Sequence, residues 1–385
     1  MSWSPFRIEV PDEVLDDLRS RLRNTRFGAP PRLGDQGGER AWQGGADPGY
    51  LRDLVGYWAE EFDFRAREAE LNALPHGMAH IDGARTHFLK IPGNGPAPMP
   101  LLLCHGWPSS FVEMLPLAAR LADPGRFGGD PEDAFDVVIP SMPGFLYSEL
   151  PAEPLTRAAM ARTLHALMTE VLGYERYGAF GGDIGGAAIG WLGALYPEQV
   201  IGIHLIHPPF PASLEVPPLS AEEQAFLDAE AVYDEGDGGY SAIMGTRPDT
   251  IAAALLDSPV GLAAWIVDKY RDWSDCHGEV ETRFDRDTLL TILTLYWATG
   301  SIGTSFRQYF DFEHNSARPP ITVPAAVTLS HEPVMTDFPR SLVERACTDI
   351  RHWSEPGRGG HFLPLEEPAL LQDELTSFFR ELRRT

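Results

Sequence analysis

Apolar residues recur along the chain in two rhythms, and the change of rhythm predicts a change of layer. Near the start, Val14, Leu15, Leu18 and Leu22 lie at helical spacing in PDEVLDDLRSRLRN (11–24), with Pro11 suited to a helix start. A Gly- and Pro-rich loop (28–49) leads to a second helical pattern, YLRDLVGYWAEEF, and ARTHFLKIP (84–92) reads as a strand. Short unbroken apolar runs then begin. MPLLLC (99–104) stops at HGWPSS and gives way to the helical FVEMLPLAARLA. AFDVVIPSMPGF (134–145) again ends a buried-strand pattern in a Pro/Gly turn. RAAMARTLHALMTEVLG is helical, YGAFGGD is a strand entering a turn, and IGIHLIHPP is another apolar strand. Strand, turn and helix in alternation predict an α/β fold with a mainly parallel sheet, whose ligands lie at the carboxyl ends of the strands.

Beyond the proline-rich PPFPASLEVPPLS the pattern turns helical: AEEQAFLDAEAVY, PDTIAAALL, GLAAWIVDKYRDW and DTLLTILTLYWATG. ITVPAAVTLS returns to strand and PALLQDELTSFFREL closes as a helix. The expected organisation is a helical N-terminal module (1–95), an α/β core in two parts (96–207 and 319–385), and a helical lid inserted between them (208–318).

Composition narrows the function classes. Of 385 residues, 43% are hydrophobic and 23% charged, ample for a packed core. A formal charge of −25 repels phosphate backbones and anionic lipid, so neither nucleic acid nor a membrane is an expected partner. Cys104, Cys276 and Cys347 are too scattered for a disulfide framework or a CxxC site, which suits a reducing cytoplasm. No stretch reaches the roughly 18 apolar residues of a membrane span. A soluble cytoplasmic protein is expected, with a homodimer as the default assembly at this size.

The candidate chemistry centres on GAFGGDIGGAAIG (178–190), which puts Asp183 among glycines between a strand and a helix. No frame supplies G-x-G-x-x-G, and no Gly-Lys-Ser/Thr follows, so dinucleotide and P-loop readings fall away. G-x-Nuc-x-G does fit, through Gly181, Asp183 and Gly185: a nucleophile elbow with Asp where Ser is usual. The bland alternative is a tight turn whose Asp caps the next helix. HGWPSS would supply the partner loop, with the N–H groups of Trp107 and Ile184 as oxyanion donors. His361, in GRGGHF before the final helix, stands in the chain order expected of a base. Its orienting acid should follow ITVPAAVTLS, where Glu332 is the first choice and Asp337 the second. His105, His204, His207 and His331 read as supporting or packing groups.

With these residues in place the chain resembles the microsomal-type epoxide hydrolases, in soluble bacterial form, over nearly its whole length. The matching segments are HGWP, SMPGFLYSE, GGDIG, GGYSAIMGTRPDT, DSPVGLAAWI, LYWATGSI and GGHFLPLEEP. The resemblance implies an α/β-hydrolase core with an inserted helical lid, wrapped by an N-terminal meander. It also implies two lid tyrosines that bond the epoxide oxygen, at the positions of Tyr240 and Tyr309. Two departures stand out. The family usually has Trp after the nucleophile, where this chain has Ile184. It also spaces its acid one residue further from the strand proline than Glu332 lies from Pro324.

The expected reaction converts an epoxide to a vicinal diol. A carboxylate suits it because attack on a saturated carbon leaves an ester that water can cleave, whereas a serine would leave an inert ether. Asp183 would open the ring, and His361, oriented by Glu332, would activate the water. Trp107, Pro108 and Ile184 are expected to contact substrate. No cofactor or metal is expected, since no HExxH or comparable ligand spacing occurs. Tyr233, Trp265, Tyr270, Trp273, Tyr296, Trp297 and Phe306 are candidate pocket aromatics for a bulky aryl or unsaturated epoxide, though helical spacing also suits core packing. Some soluble bacterial relatives act in antibiotic pathways, enediyne assembly included. The alternative reading, a haloalkane or haloacid dehalogenase, would share the Asp–His–acid set but needs halide donors that Ile184 cannot supply.

Overall fold

A computed structural model of the chain describes residues 2–28, 42–215 and 217–383. Most of the expected loop at 28–49 therefore lies outside the described residues. The N-terminal part supplies β1 (Trp3–Pro5), α1 (Asp12–Arg23), α2 (Pro48–Glu60), α3 (Phe64–Leu71), β2 (His76–Ile81) and β3 (Ala84–Ile91). The helical spacing near the start is realised in α1, which buries Leu15, Leu18 and Leu22.

The core then alternates: β4 (Met99–Cys104), α4 (Phe111–Ala122), β5 (Phe135–Pro140), α5 (Arg157–Ala166), β6 (Tyr177–Gly181), α6 (Asp183–Leu195) and β7 (Val200–Leu205). The lid comprises α7 (Ala221–Asp237), α8 (Gly239–Thr246), α9 (Pro248–Asp257), α10 (Pro259–Trp273), α11 (Arg286–Thr299), α12 (Ile302–Ser305) and α13 (Arg307–Phe310). The chain returns to the core through β8 (Ala325–Thr328), α14 (Arg340–Ala346), β9 (Ile350–Ser354), α15 (Leu363–Glu366) and α16 (Pro368–Leu382).

Among the described residues the strands form one sheet, ordered β1-β2-β3-β5-β4-β6-β7-β8-β9. From β5 to β9 every pairing is parallel. The N-terminal strands extend the same sheet antiparallel, Phe88 to Ile91 pairing with Pro140 to Val137. The strand expected at 84–92 is β3, and β2 and β1, which were not expected, continue the sheet beyond it to its edge. The N-terminal helices also reach the lid: the Trp58 indole N–H donates to Thr294 Oγ1 at 3.0 Å, and Arg67 pairs with Asp287 at 2.5 Å.

Register is what assembles a site. Cys104 lies opposite Gly181, Gly181 opposite Leu205, and Leu205 opposite Val327. The chains leaving β4, β6, β7 and β8 therefore emerge side by side at the carboxyl edge, where an open parallel sheet binds ligands. Those exits are 105–107, 182–184, 206–207 and 329–332.

Candidate active site

Asp183 has φ 50°, the left-handed region that a non-glycine residue adopts rarely and at a cost. The turn exists because its neighbours lack side chains. A Cβ on Gly185 would lie 2.4 Å from the Cys104 carbonyl oxygen, and one on Gly106 would lie 2.4 Å from the Asp183 Cβ and Oδ1. Asp183 Oδ1 accepts the Trp107 N–H at 2.8 Å. The Ile184 N–H sits in the first turn of α6, where a helix has no intrahelical acceptor to offer. Of the two expected oxyanion donors, the Trp107 N–H thus bonds the carboxylate directly, and the Ile184 N–H is the next amide along the chain.

His361 stands on a loop held from both sides. Its N–H donates to the Trp273 carbonyl at 2.9 Å, joining the loop to the end of α10. Glu366, within GGHFLPLEEP but given no role there, accepts the N–H groups of Gly360 and Phe362 at 3.0 Å each and that of Asp275 at 2.8 Å. His361 Nδ1 lies 2.9 Å from Glu332 Oε2, while Ser330 Oγ donates to Glu332 Oε1 at 2.9 Å. Asp337 is exposed and lines a separate surface groove, so Glu332 is the acid that reaches the histidine.

The charges are strongly coupled. Burial pushes His361 down, but the Glu332 carboxylate, with Asp183 and Glu113 beyond it, outweighs burial and raises it to about 9. Burial pushes Glu332 up, but His361 and His207 hold it below the usual carboxylate range. Glu113, buried in the first turn of α4, is raised to about 8 by burial despite His361 nearby.

Tyr240 and Tyr309 face the same space. The Tyr240 ring stacks on Trp107 at 5.4 Å and 8°, Tyr309 meets Trp107 edge-on at 6.0 Å, and the two phenol rings are 6.1 Å apart. Burial raises both phenols, and the Asp183 charge adds to it, so both remain protonated donors at neutral pH. A cavity of about 400 Å³ joins them to Asp183, Ile184, His361 and Glu332.

One expectation about this cavity needs correction, and one open choice is narrowed. Ile184 lines it, but Trp107 and Pro108 are not among its lining residues: Trp107 is fully buried behind Tyr240, and Pro108 is buried too. Of the seven candidate lid aromatics only Tyr233 and Trp273 line it. Tyr270 and Tyr296 instead reach Ser109, donating to its hydroxyl at 2.9 Å and its carbonyl at 2.8 Å, and Phe306 packs against Trp107.

The histidines divide likewise. His105 and His204 are buried supports: Met142 N–H donates to His105, and His204 contacts Thr328 Oγ1. His331 is exposed. His207, expected to support or to pack, takes the supporting place: it lines the cavity beside Asp183 and Glu332. Its position at the carboxyl end of β7 is the signal available in the sequence. His207, Glu332 and His361 set donor atoms within 4.8 Å of one another, a spacing a divalent ion could use, although the proton between His361 and Glu332 would compete for it.

Known proteins resemble this chain throughout. The family model described as "Epoxide hydrolase N terminus" matches residues 3–114, and that described as "alpha/beta hydrolase fold" matches 99–235. A Stigmatella aurantiaca protein, named provisionally as an epoxide hydrolase, is 37% identical over 382 residues, covering 99% of this chain and 85% of that protein. Epoxide hydrolase 1 of Oryctolagus cuniculus is 31% identical, covering 98% of this chain and 88% of its own. The crystal structure of juvenile hormone epoxide hydrolase from the silkworm Bombyx mori superposes with a TM-score of 0.87 at 28% identity, covering 99% of this chain and 95% of that one. Among the described residues no single helix is long and apolar enough to cross a membrane. With an α/β-hydrolase core and a matching N-terminal region, the chain belongs to the microsomal-type epoxide hydrolase family and is an enzyme that hydrolyses an ether bond.

Proposed function

We propose that the enzyme opens its epoxide through a covalent ester on Asp183. The observation carrying this reading is the hydrogen bond from the Trp107 N–H to Asp183 Oδ1. It fixes one carboxylate oxygen in the oxyanion site and leaves the other free to attack. In the first step that oxygen bonds an epoxide carbon, the ring C–O bond breaks, and the departing alkoxide takes a proton from Tyr240 or Tyr309, whose phenolate is reprotonated at the expense of the His361 imidazolium. In the second, His361 takes a proton from water, whose oxygen adds to the Asp183 Cγ. The former Oδ1 carries the negative charge against the Trp107 and Ile184 N–H groups. The acyl C–O bond then breaks, the leaving alkoxide takes the proton back from His361, and the diol departs with the oxygen that attacked, while the Asp183 carboxyl gives its own proton to His361 and restores the resting pair.

The electrostatics order these steps. In the resting enzyme His361 is cationic beside two carboxylates. Ester formation removes the Asp183 charge and with it part of what holds that proton, so His361 becomes a base once there is an ester to hydrolyse. The cavity wall, with Phe210, Tyr233, Trp273, Phe312, Val334 and Met335, suits a bulky aryl or unsaturated epoxide.

Single-turnover reaction of styrene oxide in 18O-labelled water tests the mechanism. Label in the peptide holding Asp183 is the expected result. Label confined to the diol would mean direct attack by water and would overturn the reading.

A further inference from the structure

His207 touches the nucleophile turn and the acid at once. Its Nδ1 accepts the main-chain N–H of Asp183 at 2.5 Å, so that nitrogen holds no proton and the ring's proton sits on Nε2. Nε2 lies 2.8 Å from Glu332 Oε1. Its N–H is aimed off the oxygen, leaving no well-aligned hydrogen bond there, so the contact is a dipole held by a charge. The other carboxylate oxygen faces His361, and the two imidazole rings are 4.4 Å apart at 31°. Two imidazolium ions so close in a buried site would repel strongly. A ring whose Nδ1 already accepts an N–H cannot take a second proton without releasing the Asp183 turn. The arrangement therefore supports Glu332 from its second side without a rival for the charge.

We infer that His207 is a positioning residue that couples the nucleophile turn to the base–acid pair. Through Nδ1 it holds the Asp183 main chain in its left-handed turn. Through Nε2 it holds the Glu332 carboxylate, so that His361 alone carries the proton moved in hydrolysis. The inference rests on the two-step ester reading above.

The two contacts can be separated. His207→Asn keeps an acceptor near the Nδ1 position and loses the Glu332 contact. His207→Gln keeps a donor near the Nε2 position and loses the Asp183 N–H, and His207→Phe loses both. Rapid-quench single turnovers with styrene oxide read ester formation and ester decay separately. The Asn variant should form ester at close to the wild-type rate and decay about ten-fold more slowly, as expected for loss of one close charge–dipole contact. The Gln variant should show the reverse split, and the Phe variant should lose both steps. Wild-type rates in all three, or equal loss of both steps in Asn and Gln, would sink the inference. Imidazole 15N NMR of the resting wild-type enzyme, assigned by the signal lost in His207→Gln, decides it independently of turnover. A proton on Nε2 is expected; one on Nδ1 overturns the inference. If wild-type enzyme forms no ester from any epoxide, the two-step reading fails, and the NMR result still stands on its own.

Discussion

At the scale of single residues, the proposed mechanism separates in time what one carboxylate and one imidazole do. His361→Gln should still alkylate Asp183 but fail to hydrolyse the ester. We expect turnover to fall by about 10²–10⁴-fold, with the ester mass accumulating on the peptide that holds residue 183. Glu332→Gln should lean the same way and Asp337→Asn should not, because only Glu332 reaches the imidazole. The raised value of about 9 gives a pH prediction. The ester state lacks the Asp183 charge, so ester decay should rise with pH and level off below 9; a rate falling from pH 6 to 9 would contradict it. The same pair has a signed effect on stability. His361, raised above its unfolded value of about 6.5, contributes stability that is complete below that pH and lost as pH rises through 9. Glu332, lowered, contributes above its unfolded value and loses that contribution in acid. The Tm gap between wild type and His361→Gln should therefore shrink from pH 7 to pH 10.

At the scale of elements, the β6–α6 junction is a close approach of three chains rather than a flexible turn. Gly185→Ala puts a methyl group against the Cys104 backbone, which cannot give way locally. Calorimetry should show a loss of about 1–3 kcal/mol, the usual cost of overpacking. Gly106→Ala meets the Asp183 side chain instead, so it should lower kcat by displacing the carboxylate while Tm changes less. The junction was legible in the sequence because glycines at fixed offsets around an acid mark a sharp turn whose backbone passes close to its neighbours. The unbroken apolar runs of β4, β5 and β7 were legible for a similar reason, since both faces are covered by helices. β1, β2 and β9 were not. β1 is exposed throughout, and β9 (IRHWS) is at most half-buried and mixes polar with apolar positions, so neither carries a clean strand signal. His207 is legible only as a supporting group at the end of β7 and Glu366 only as part of GGHFLPLEEP; what each holds comes from register and a loop clamp, which place distant residues together.

At the scale of the whole molecule, the N-terminal part is a structural third of the sheet, three strands of nine among the described residues, rather than an appendage. β3 covers the edge of β5, whose Val137, Val138 and Ile139 are fully buried. Removing residues 1–95 would leave that edge with unpaired N–H and C=O groups along an apolar strand, a template for association with other chains. The loss reaches the lid as well, because Trp58 bonds Thr294, Tyr57 and Arg67 both reach Asp287, and Arg21 bonds Asp257. These contacts hold α9 and α11, and α10 packs against both. α10 ends at Trp273, whose carbonyl holds the His361 N–H. A route of packed elements therefore runs from the N-terminal helices to His361, the proposed base, without passing through the cavity. The shortened chain, residues 96–385, should be recovered mostly as aggregate, and its soluble fraction should accumulate ester from styrene oxide because the histidine loop has lost its lid-side support. A monomeric, fully active 96–385 chain would show instead that the core closes its own edge and that the N-terminal contacts are dispensable.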